Sequence, residues 1–293
     1  MKRQLLKTLF VAGLCMGAAS HAGEFTGRLA RIHDTGTLVI AHGETAVPFS
    51  YVDSQGPKGY GVDLSLRIAQ AIQKEVGLEK LSIRWNPVTL STRFPMMITD
   101  TVDLACTTTT HTREREKFSN FSTTFHIAHE GIVTRSTSGI NSAADLAGKR
   151  LAVVRDTTTE ANLRARGFGA QLVPERSNRS AMTAVVDGRA DAYVAASALA
   201  TGELALMDRT DGLVIIQTNE GREAYACLLP KGDAAFKQVV DRAITTLMQS
   251  GDMERLYQQW FELPIPPFGR ALRVGLNADD RALFQSPNDT PLE

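Results

Sequence analysis

Two arginines and several threonines are the residues of this sequence that could hold a small anion. Arg93 begins a short predicted helix, and Arg115 lies in the charge run of residues 113–117. Thr108 and Thr110 belong to a threonine run between the two arginines. A guanidinium fork matches a carboxylate through two parallel hydrogen bonds, and hydroxyl groups can complete such a site. Taken alone, Arg115 fits a solvated surface better than a binding site, Arg93 has a water-facing helix N-terminus as its alternative, and the threonines fit a solvated strand edge.

A second candidate segment begins at Thr157, where consecutive threonines start a predicted helix that ends before Gly167. Thr157 and Thr158 are candidates because the N–H groups at a helix N-terminus bind anions. Plain capping of the helix is compatible with that role. Phe49 is either an apolar wall of the same site or a core residue.

Residues for catalysis or metal binding are sparse by comparison. We find no Ser-His-Asp order, no HExxH and no CxxC motif, so we assign no catalytic residue. His111 and Glu44 are acid–base groups close to the candidate segments in sequence. The six histidines are scattered, and His126 and His129 alone are a weak pair of metal ligands. We therefore expect neither a metal nor a cofactor.

The composition is that of an ordinary globular protein with room for two lobes. The chain has 293 residues, of which 43% are hydrophobic and 22% charged, and its formal net charge is zero. This balance gives no indication of a nucleic-acid partner.

The first 22 residues have the pattern of an export signal. Three basic residues precede an apolar run over residues 9–17, and small residues then end at Ala22. The run is shorter than the ~20 residues of a transmembrane helix, and Leu14 before Cys15 does not fit a lipoprotein signal. We expect cleavage after Ala22, which leaves 29 basic and 32 acidic residues and a net charge of −3.

Two cysteines, Cys106 and Cys227, remain after this cleavage. Export into an oxidising compartment allows a disulfide between them, and two buried thiols are the alternative. The sequence does not decide between the two.

Strand-like and helix-like segments alternate along the rest of the chain. Apolar residues at positions 64, 68, 72 and 76 recur every four and predict a helix that ends at Gly77. A second set of segments begins near residue 140, and residues 96–104 resemble residues 183–192. This order predicts two units, each with a parallel sheet flanked by helices. The polar tail from Phe268 onward has no predicted element.

A series of motifs, in order, resembles the periplasmic amino-acid-binding proteins, and in particular their glutamate/aspartate-binding branch, which serves ABC importers. The motifs are Val47-Pro48-Phe49-Ser50-Tyr51, Gly59-Tyr60-Gly61-Val62-Asp63-Leu64, the loop from Cys106 to Thr110 with Arg113-Glu114-Arg115 and Phe118-Ser119, Glu223-Ala224-Tyr225-Ala226-Cys227, Ile265-Pro266-Pro267 and Leu283-Phe284-Gln285-Ser286-Pro287-Asn288-Asp289. The resemblance implies an α/β fold with two lobes, a Venus-flytrap clamp. Each lobe is a mainly parallel sheet flanked by helices, and two crossover strands form the hinge.

The resemblance also implies a domain organisation and a mode of action. Residues 1–22 are the signal peptide, residues 23–128 and 222–293 form the first lobe with the C-terminal tail, and residues 129–221 form the second. A small carboxylate-bearing solute closes the lobes, and a membrane ABC permease recognises the closed form. We expect a periplasmic monomer that binds an acidic or polar amino acid and no nucleic acid.

Several site residues follow from the same resemblance. Arg115 aligns with the arginine that grips the ligand α-carboxylate, and Arg93 aligns with an arginine that meets the side-chain carboxylate. Thr108 and Thr110 take the places of hydroxyl and backbone donors. The second-lobe loop that Thr157 begins can close over a carboxylate.

The chain departs from the family pattern at four positions around this site. Gly43 follows His42 where the acidic branch has arginine, and Leu90 replaces a serine near Arg93. Asn178 stands where a histidine supports the acidic side chain. The amino-group anchor of the family is an aspartate, but this segment is Ala196 followed by Ser197, so Ser197 is the polar candidate there.

Two ligand hypotheses follow from these departures. A buried ammonium needs an anion, and the expected one is missing, which favours a carboxylate or dicarboxylate without a free α-amino group. The family ligand, glutamate or aspartate, requires that other groups hold the amine, and we rank it first. A dehydratase on the same fold is the enzymatic alternative, and a receptor-linked sensor is a third.

Overall fold

The computed structural model describes residues 25–207, 210 and 212–292. The expected signal peptide at residues 1–22 lies outside the described residues.

Helices and strands alternate through most of the chain. The α-helices are α1 Gly27–Thr35, α2 Tyr60–Glu75, α3 Arg93–Ile98, α4 Thr158–Arg166, α5 Asn178–Val186, α6 Ser197–Leu206, α7 Ala234–Gln249, α8 Asp252–Tyr257 and α9 Ala278–Gln285. The strands are β1 Thr37–His42, β2 Thr45–Ala46, β3 Ser50–Asp53, β4 Gly56–Lys58, β5 Ser82–Pro87, β6 Asn120–Arg135, β7 Arg150–Val154, β8 Gln171–Glu175, β9 Ala192–Ala196, β10 Leu213–Leu229, β11 Pro264–Ile265 and β12 Arg270–Ala271.

The first lobe is built on β1, which pairs in parallel with β5. A parallel bridge from Ile40 to Leu104 adds the next segment, and an antiparallel bridge from Ala105 to Leu228 adds the end of β10. Helix α2 covers this sheet with the face predicted from its four-residue spacing, since Leu64, Ile68 and Ile72 are all fully buried. The predicted helix is thus confirmed, and it brings the segments after β1 and β5 to one edge of the sheet.

The second lobe is a five-stranded sheet in the order β10-β6-β9-β7-β8. Strands β9, β7 and β8 are parallel, as predicted, whereas β6 pairs antiparallel with both β9 and β10. The sheet is therefore mixed. The reason is that β6 leaves the first lobe and β10 returns to it, so the two strands run in opposite directions.

Strands β6 and β10 are the two crossovers that join the lobes. They pair along their length, from Asn120 opposite Leu229 to Arg135 opposite Leu213. The register shifts between Gln217 and Arg222. Irregular pairing at one level of a two-stranded connection is a reasonable place for bending. The predicted lobe boundaries, between residues 128 and 129 and between residues 221 and 222, fall beside this register shift. The boundaries themselves stay a prediction.

Two helices lie where the sequence reasoning predicted none, at the ends of the described chain. Helix α1 buries Arg28 and Leu29, and α9 lies in the polar tail, where our expectation of no element was wrong. Helix α9 is held by Asp280, which is fully buried and accepts a hydrogen bond from the Ile127 N–H at 2.7 Å. Tertiary contacts to β6 therefore stabilise a helix that has too few apolar residues to be recognised by periodicity.

A disulfide joins Cys106 to Cys227, with an S–S distance of 2.05 Å. It fastens the segment that follows β5 and α3 to strand β10, and both cysteines are buried. This settles the alternative that the sequence left open. None of the helices among the described residues has the length and hydropathy needed to cross a bilayer.

The two lobes are in contact in this conformation. Helix α6 of the second lobe packs against the β2 region of the first, so closely that a Cβ on Gly202 would lie 2.1 Å from the Val47 carbonyl oxygen. Ala198 and Leu199 belong to the same buried cluster as Val47 and Phe49. The segments that carry the candidate residues are thereby brought face to face.

Candidate ligand-binding site

A cavity of about 290 Å³ lies between the lobes. The first lobe lines it with the segments after β1, β5 and the disulfide-linked Cys106. The second lobe lines it with the starts of α4 and α5 and the end of β9. The volume is at the lower end of the range for small-molecule sites. A clamp of this kind encloses a small solute between two rigid units.

Arg93 is a buried cationic group in the cavity wall and is only 3% exposed. Its guanidinium donates to the Thr108 carbonyl at 3.0 Å, while its Nε is buried with no hydrogen-bond partner among the described residues. Burial, and then the nearby Arg115 guanidinium, lower the pKa of Arg93 to about 9. A desolvated cation with unused donors is a strong site for an anionic ligand.

Arg115 lies behind the cavity wall and does not line the cavity. It begins a short 3₁₀ turn, donates to the Thr110 carbonyl at 2.9 Å, and stacks 5.5 Å from the Phe94 ring centroid. Burial lowers the pKa of Arg115, and the Glu223 carboxylate opposes that effect. Arg115 thus adds positive potential and orients Thr110, and its predicted grip on a carboxylate stays a prediction.

Thr108 and Thr110 both line the cavity, whereas Thr158 lies just outside it. The Thr110 hydroxyl donates to Glu223 Oε2 at 2.9 Å and lies 3.1 Å from the Thr158 hydroxyl. The Thr158 hydroxyl in turn donates to Glu223 Oε1. Threonines from both lobes therefore converge on one carboxylate that the sequence reasoning did not include.

The second lobe directs the N-termini of two helices at the cavity. Thr157 is the N-cap of α4, and its hydroxyl oxygen accepts from the Glu160 N–H at 3.1 Å. Ser177 caps α5 in the same way, and Asn178, the first residue of α5, accepts a hydrogen bond from the Tyr193 hydroxyl at 2.9 Å. Both starts line the cavity and carry the positive end of a helix dipole, which favours a negative ligand group.

Besides Arg115 and Thr158, two more of the predicted site residues, Phe49 and Ser197, lie outside the cavity lining. Phe49 is fully buried and packs its ring against Tyr60, Tyr225 and Phe261, with centroids 5.3–6.3 Å apart. It supports the wall from the core, the second of the two roles the sequence left open. Ser197 begins α6 and lies against Gly131 on the crossover strand.

The four positions at which the chain departs from the family pattern all line the cavity. They are Gly43, Leu90, Asn178 and Ala196. The family pattern expected from the sequence has an arginine, a serine, a histidine and an aspartate at these positions, whereas this wall carries a glycine, a leucine, an asparagine and an alanine. That the ligand contacts differ at these points stays a prediction.

Glu223 is the main functional candidate that sequence reasoning missed, and Tyr193, Tyr225 and Arg176 also line the cavity. One signal could have indicated Glu223. Thr110 follows Cys106 by four residues, and Glu223 precedes Cys227 by four. If the cysteines are joined and their segments run antiparallel, Thr110 and Glu223 come level. The observed antiparallel bridge pairs Thr110 with Tyr225, two residues beyond Glu223, and the Thr110 hydroxyl still reaches the Glu223 carboxylate at 2.9 Å.

The chemistry available in the cavity is that of charge pairing and hydrogen bonding. It offers one buried guanidinium, a second behind it, two helix N-termini and one hydroxyl-bound carboxylate. Among the described residues, no three His, Cys, Asp or Glu side chains come together as a metal site. The arrangement is suited to a small molecule with negative groups and room for one positive group.

Comparisons with known proteins identify the family of the chain. A model of the bacterial extracellular solute-binding proteins, family 3, matches residues 38–263. The L-glutamate/L-aspartate-binding protein of Pseudomonas aeruginosa is 36% identical over 99% of this chain and 97% of its own length. The glutamate/aspartate import solute-binding protein of Escherichia coli is 31% identical over 98% of this chain and 97% of its own length.

A solved structure supports the fold independently. An ancestral amino-acid-binding protein, described as a precursor of cyclohexadienyl dehydratase, superposes with a TM-score of 0.70 at 25% identity, over 81% of this chain and 100% of that one. The sequence relatives are named as binding and import proteins, and this neighbour connects the same fold to an enzyme lineage. With a family model that covers most of its length and relatives that cover nearly all of it, the chain belongs to the family 3 bacterial extracellular solute-binding proteins.

Proposed function

We propose that this protein is the periplasmic substrate-binding component of an ABC importer and that it closes its lobes around a dicarboxylic amino acid of the glutamate/aspartate type. It is exported by its N-terminal segment, acts as a monomer, delivers the solute to a membrane permease, and does not convert it chemically. Such a protein requires one site between two lobes, with charges that match the solute.

The observation that carries the proposal is the state of Arg93. Its guanidinium is buried in the cavity wall, and no carboxylate among the described residues forms an ion pair with it. An unpaired buried cation is costly, and a ligand carboxylate removes that cost when the lobes close. Two guanidinium–carboxylate hydrogen bonds also fix the orientation of the ligand.

The second lobe supports a second negative group. The starts of α4 and α5 line the cavity from the second lobe, whereas Arg93 belongs to the first, and each start leaves N–H groups that have no partner within the helix. A molecule with one carboxylate near Arg93 and another near these starts would use both features. The relatives from Pseudomonas aeruginosa and Escherichia coli, named for glutamate and aspartate, support the same ligand class.

One structural feature favours a second candidate ligand. Ala196 lines the cavity where the family pattern has the aspartate that anchors the amino group. A dicarboxylate without an amine would need no anion there. Succinate and glutarate are therefore the competing ligands, and turnover of a prephenate-like substrate would indicate the dehydratase chemistry of the ancestral neighbour's lineage.

Isothermal titration calorimetry tests the proposal directly. The protein is purified from the periplasm, stripped of ligand by unfolding and refolding, and titrated with L-glutamate, L-aspartate, their amides, succinate and glutarate. We expect one site with tight binding of glutamate or aspartate, and at least ~100-fold weaker binding of the amides, since each lost charge-assisted hydrogen bond is worth about 1.5–3 kcal/mol.

Arg93→Gln should abolish this binding. Arg84→Gln is the matched control, because Arg84 is exposed on β5 and does not line the cavity. Tight binding of neutral or basic amino acids only, or of amine-free dicarboxylates only, would contradict the proposed ligand class.

A further inference from the structure

The cavity wall contains a carboxylate on the crossover strand, in the segment Glu223-Ala224-Tyr225-Ala226-Cys227. Glu223 lies on β10, directly after the register shift between Gln217 and Arg222, and its side chain is half-buried in the cavity wall. The position of the family's amino-group anchor, Ala196, lines the same cavity. The carboxylate expected at the end of β9 is absent, and the crossover strand β10 places a carboxylate in the same cavity.

The Glu223 carboxylate is held in place by groups from both lobes. Thr110 of the first lobe donates to Oε2 at 2.9 Å, and Thr158 of the second lobe donates to Oε1. A carboxylate has about four lone-pair positions, so each oxygen keeps one for a further donor. Because the two hydroxyls fix the side chain, little additional ordering is needed when a ligand ammonium binds.

Charge complementarity gives an independent argument. Arg93 and Arg115 contribute two positive charges to the cavity region, and Glu223 contributes one negative charge. Glu44 and Arg176 also line the cavity, but both are exposed and of opposite sign. A ligand with two carboxylates and one ammonium has a net charge of −1 and balances the remaining +1. An amine-free dicarboxylate would leave the enclosed site with an excess negative charge.

We propose that Glu223 is the acceptor for the ligand ammonium and thereby determines that the site takes amino acids rather than amine-free dicarboxylates. This assignment rests on the proposed function, whose ligand class it deepens. Glu223 is then a specificity-determining residue, and the amino-group anchor lies on the crossover strand β10 instead of on β9.

A purely structural role of Glu223 makes a different prediction. If its carboxylate only fastens the two threonines, its loss should weaken all ligands by a similar factor. If it holds the ammonium, its loss should weaken ligands with an amine and spare those without. The ratio of affinities within a matched ligand pair therefore separates the two roles.

The test titrates the wild type, Glu223→Gln and Glu223→Asp with two pairs, L-glutamate with glutarate and L-aspartate with succinate, and with a panel of other α-amino acids. Glutamine keeps the size of the side chain and an oxygen that accepts from a threonine. We expect E223Q to lower glutamate or aspartate affinity roughly 10- to 150-fold, the range of a charge-assisted hydrogen bond. Glutarate and succinate affinities should stay the same or rise.

Glu79→Gln is the matched control, because Glu79 is exposed and does not line the cavity. The ratio of L-glutamate affinity to glutarate affinity in this variant should equal that of the wild type. Glu223→Asp keeps the charge but withdraws the carboxylate by one methylene, so we expect an intermediate preference for ligands with an amine. If E223Q does not fold, the drop in this preference in E223D relative to Glu79→Asp decides the question.

The outcomes separate this inference from the proposed function. An unchanged amine preference in the Glu223 variants, or a wild type that binds glutarate or succinate as tightly as the amino acids, would overturn the assignment. A wild type that ignores glutamate and aspartate but binds another α-amino acid, with an affinity that falls in E223Q, would refute the proposed ligand class and support the anchor.

Discussion

Replacement of Arg93 by methionine should have opposite effects on stability and on binding. Methionine is similar in length and unbranched, so it can fill the space of the arginine stem without a charge. The ligand-free protein should become more stable, and the affinity for a carboxylate ligand should fall by at least ~100-fold, since up to two charge-assisted hydrogen bonds are lost.

The magnitude follows from the burial of this guanidinium. The folded protein lowers the pKa of Arg93 from 12.5 to about 9, chiefly through desolvation by burial. At ~1.4 kcal/mol per pH unit, this is a destabilisation on the order of 5 kcal/mol when the group is protonated in both states. Loss of the hydrogen bond to the Thr108 carbonyl offsets about 1.5–3 kcal/mol of the gain. A net increase of about 2–3.5 kcal/mol in the free energy of unfolding remains, or roughly 4–7 °C in Tm at ~2 °C per kcal/mol for a chain of this length.

The sign of the pH dependence provides a second check. Below pH 9 both the folded and the unfolded wild type carry a protonated Arg93, so the whole destabilisation is present. As the pH rises through about 9, the folded state releases this proton while the unfolded chain still binds it, so the wild type gains stability relative to the variant. The difference between the two proteins should therefore narrow above pH 9.

Differential scanning calorimetry of the ligand-free proteins, with calorimetric titration of the ligand, measures both effects. Arg176→Met is the matched control, because Arg176 lines the cavity but is exposed. Its stability should change by less than about 0.5 kcal/mol. A less stable R93M protein that still binds glutamate with wild-type affinity would refute the reasoning.

Three further predictions concern the same site and its frame. Ligand affinity should fall up to ~10-fold per pH unit above pH 9, because binding must then return a proton to Arg93. Calorimetry in buffers of different ionisation enthalpy should detect this proton uptake. An affinity that stays constant up to about pH 10.5 would contradict the prediction. The double variant Cys106→Ala/Cys227→Ala should lose up to about 5 kcal/mol of its free energy of unfolding in urea, because the disulfide closes a loop across 121 residues. An unchanged urea midpoint would show that the disulfide contributes little to stability. Gly202→Ala should weaken binding at least ~10-fold by holding the lobes apart, because its Cβ would lie 2.1 Å from the Val47 carbonyl oxygen. Small-angle scattering of this variant with ligand should show an extended form. Wild-type affinity together with a compact form would refute the steric argument.

Two helices and three residues of the cavity lining could be inferred from the amino-acid sequence alone. Helix α2 follows from a four-residue apolar spacing, and the start of α4 follows from a threonine cap, because both depend on interactions between residues a few positions apart. Arg93, Thr108 and Thr110 could be proposed because their order along the chain fits a known pattern. All three are close to the cavity.

Tertiary contacts set which groups meet across the cleft. The positions of Glu223 against Thr110 and Thr158, 113 and 65 residues apart in sequence, depend on the antiparallel pairing of distant strands and on contact between the lobes. For the same reason the sequence could not decide that Phe49 lies in the core, or that Arg115 lies behind the wall. Side-chain type limits what a residue can bind, but the packing of segments that are remote in sequence determines which partner it has.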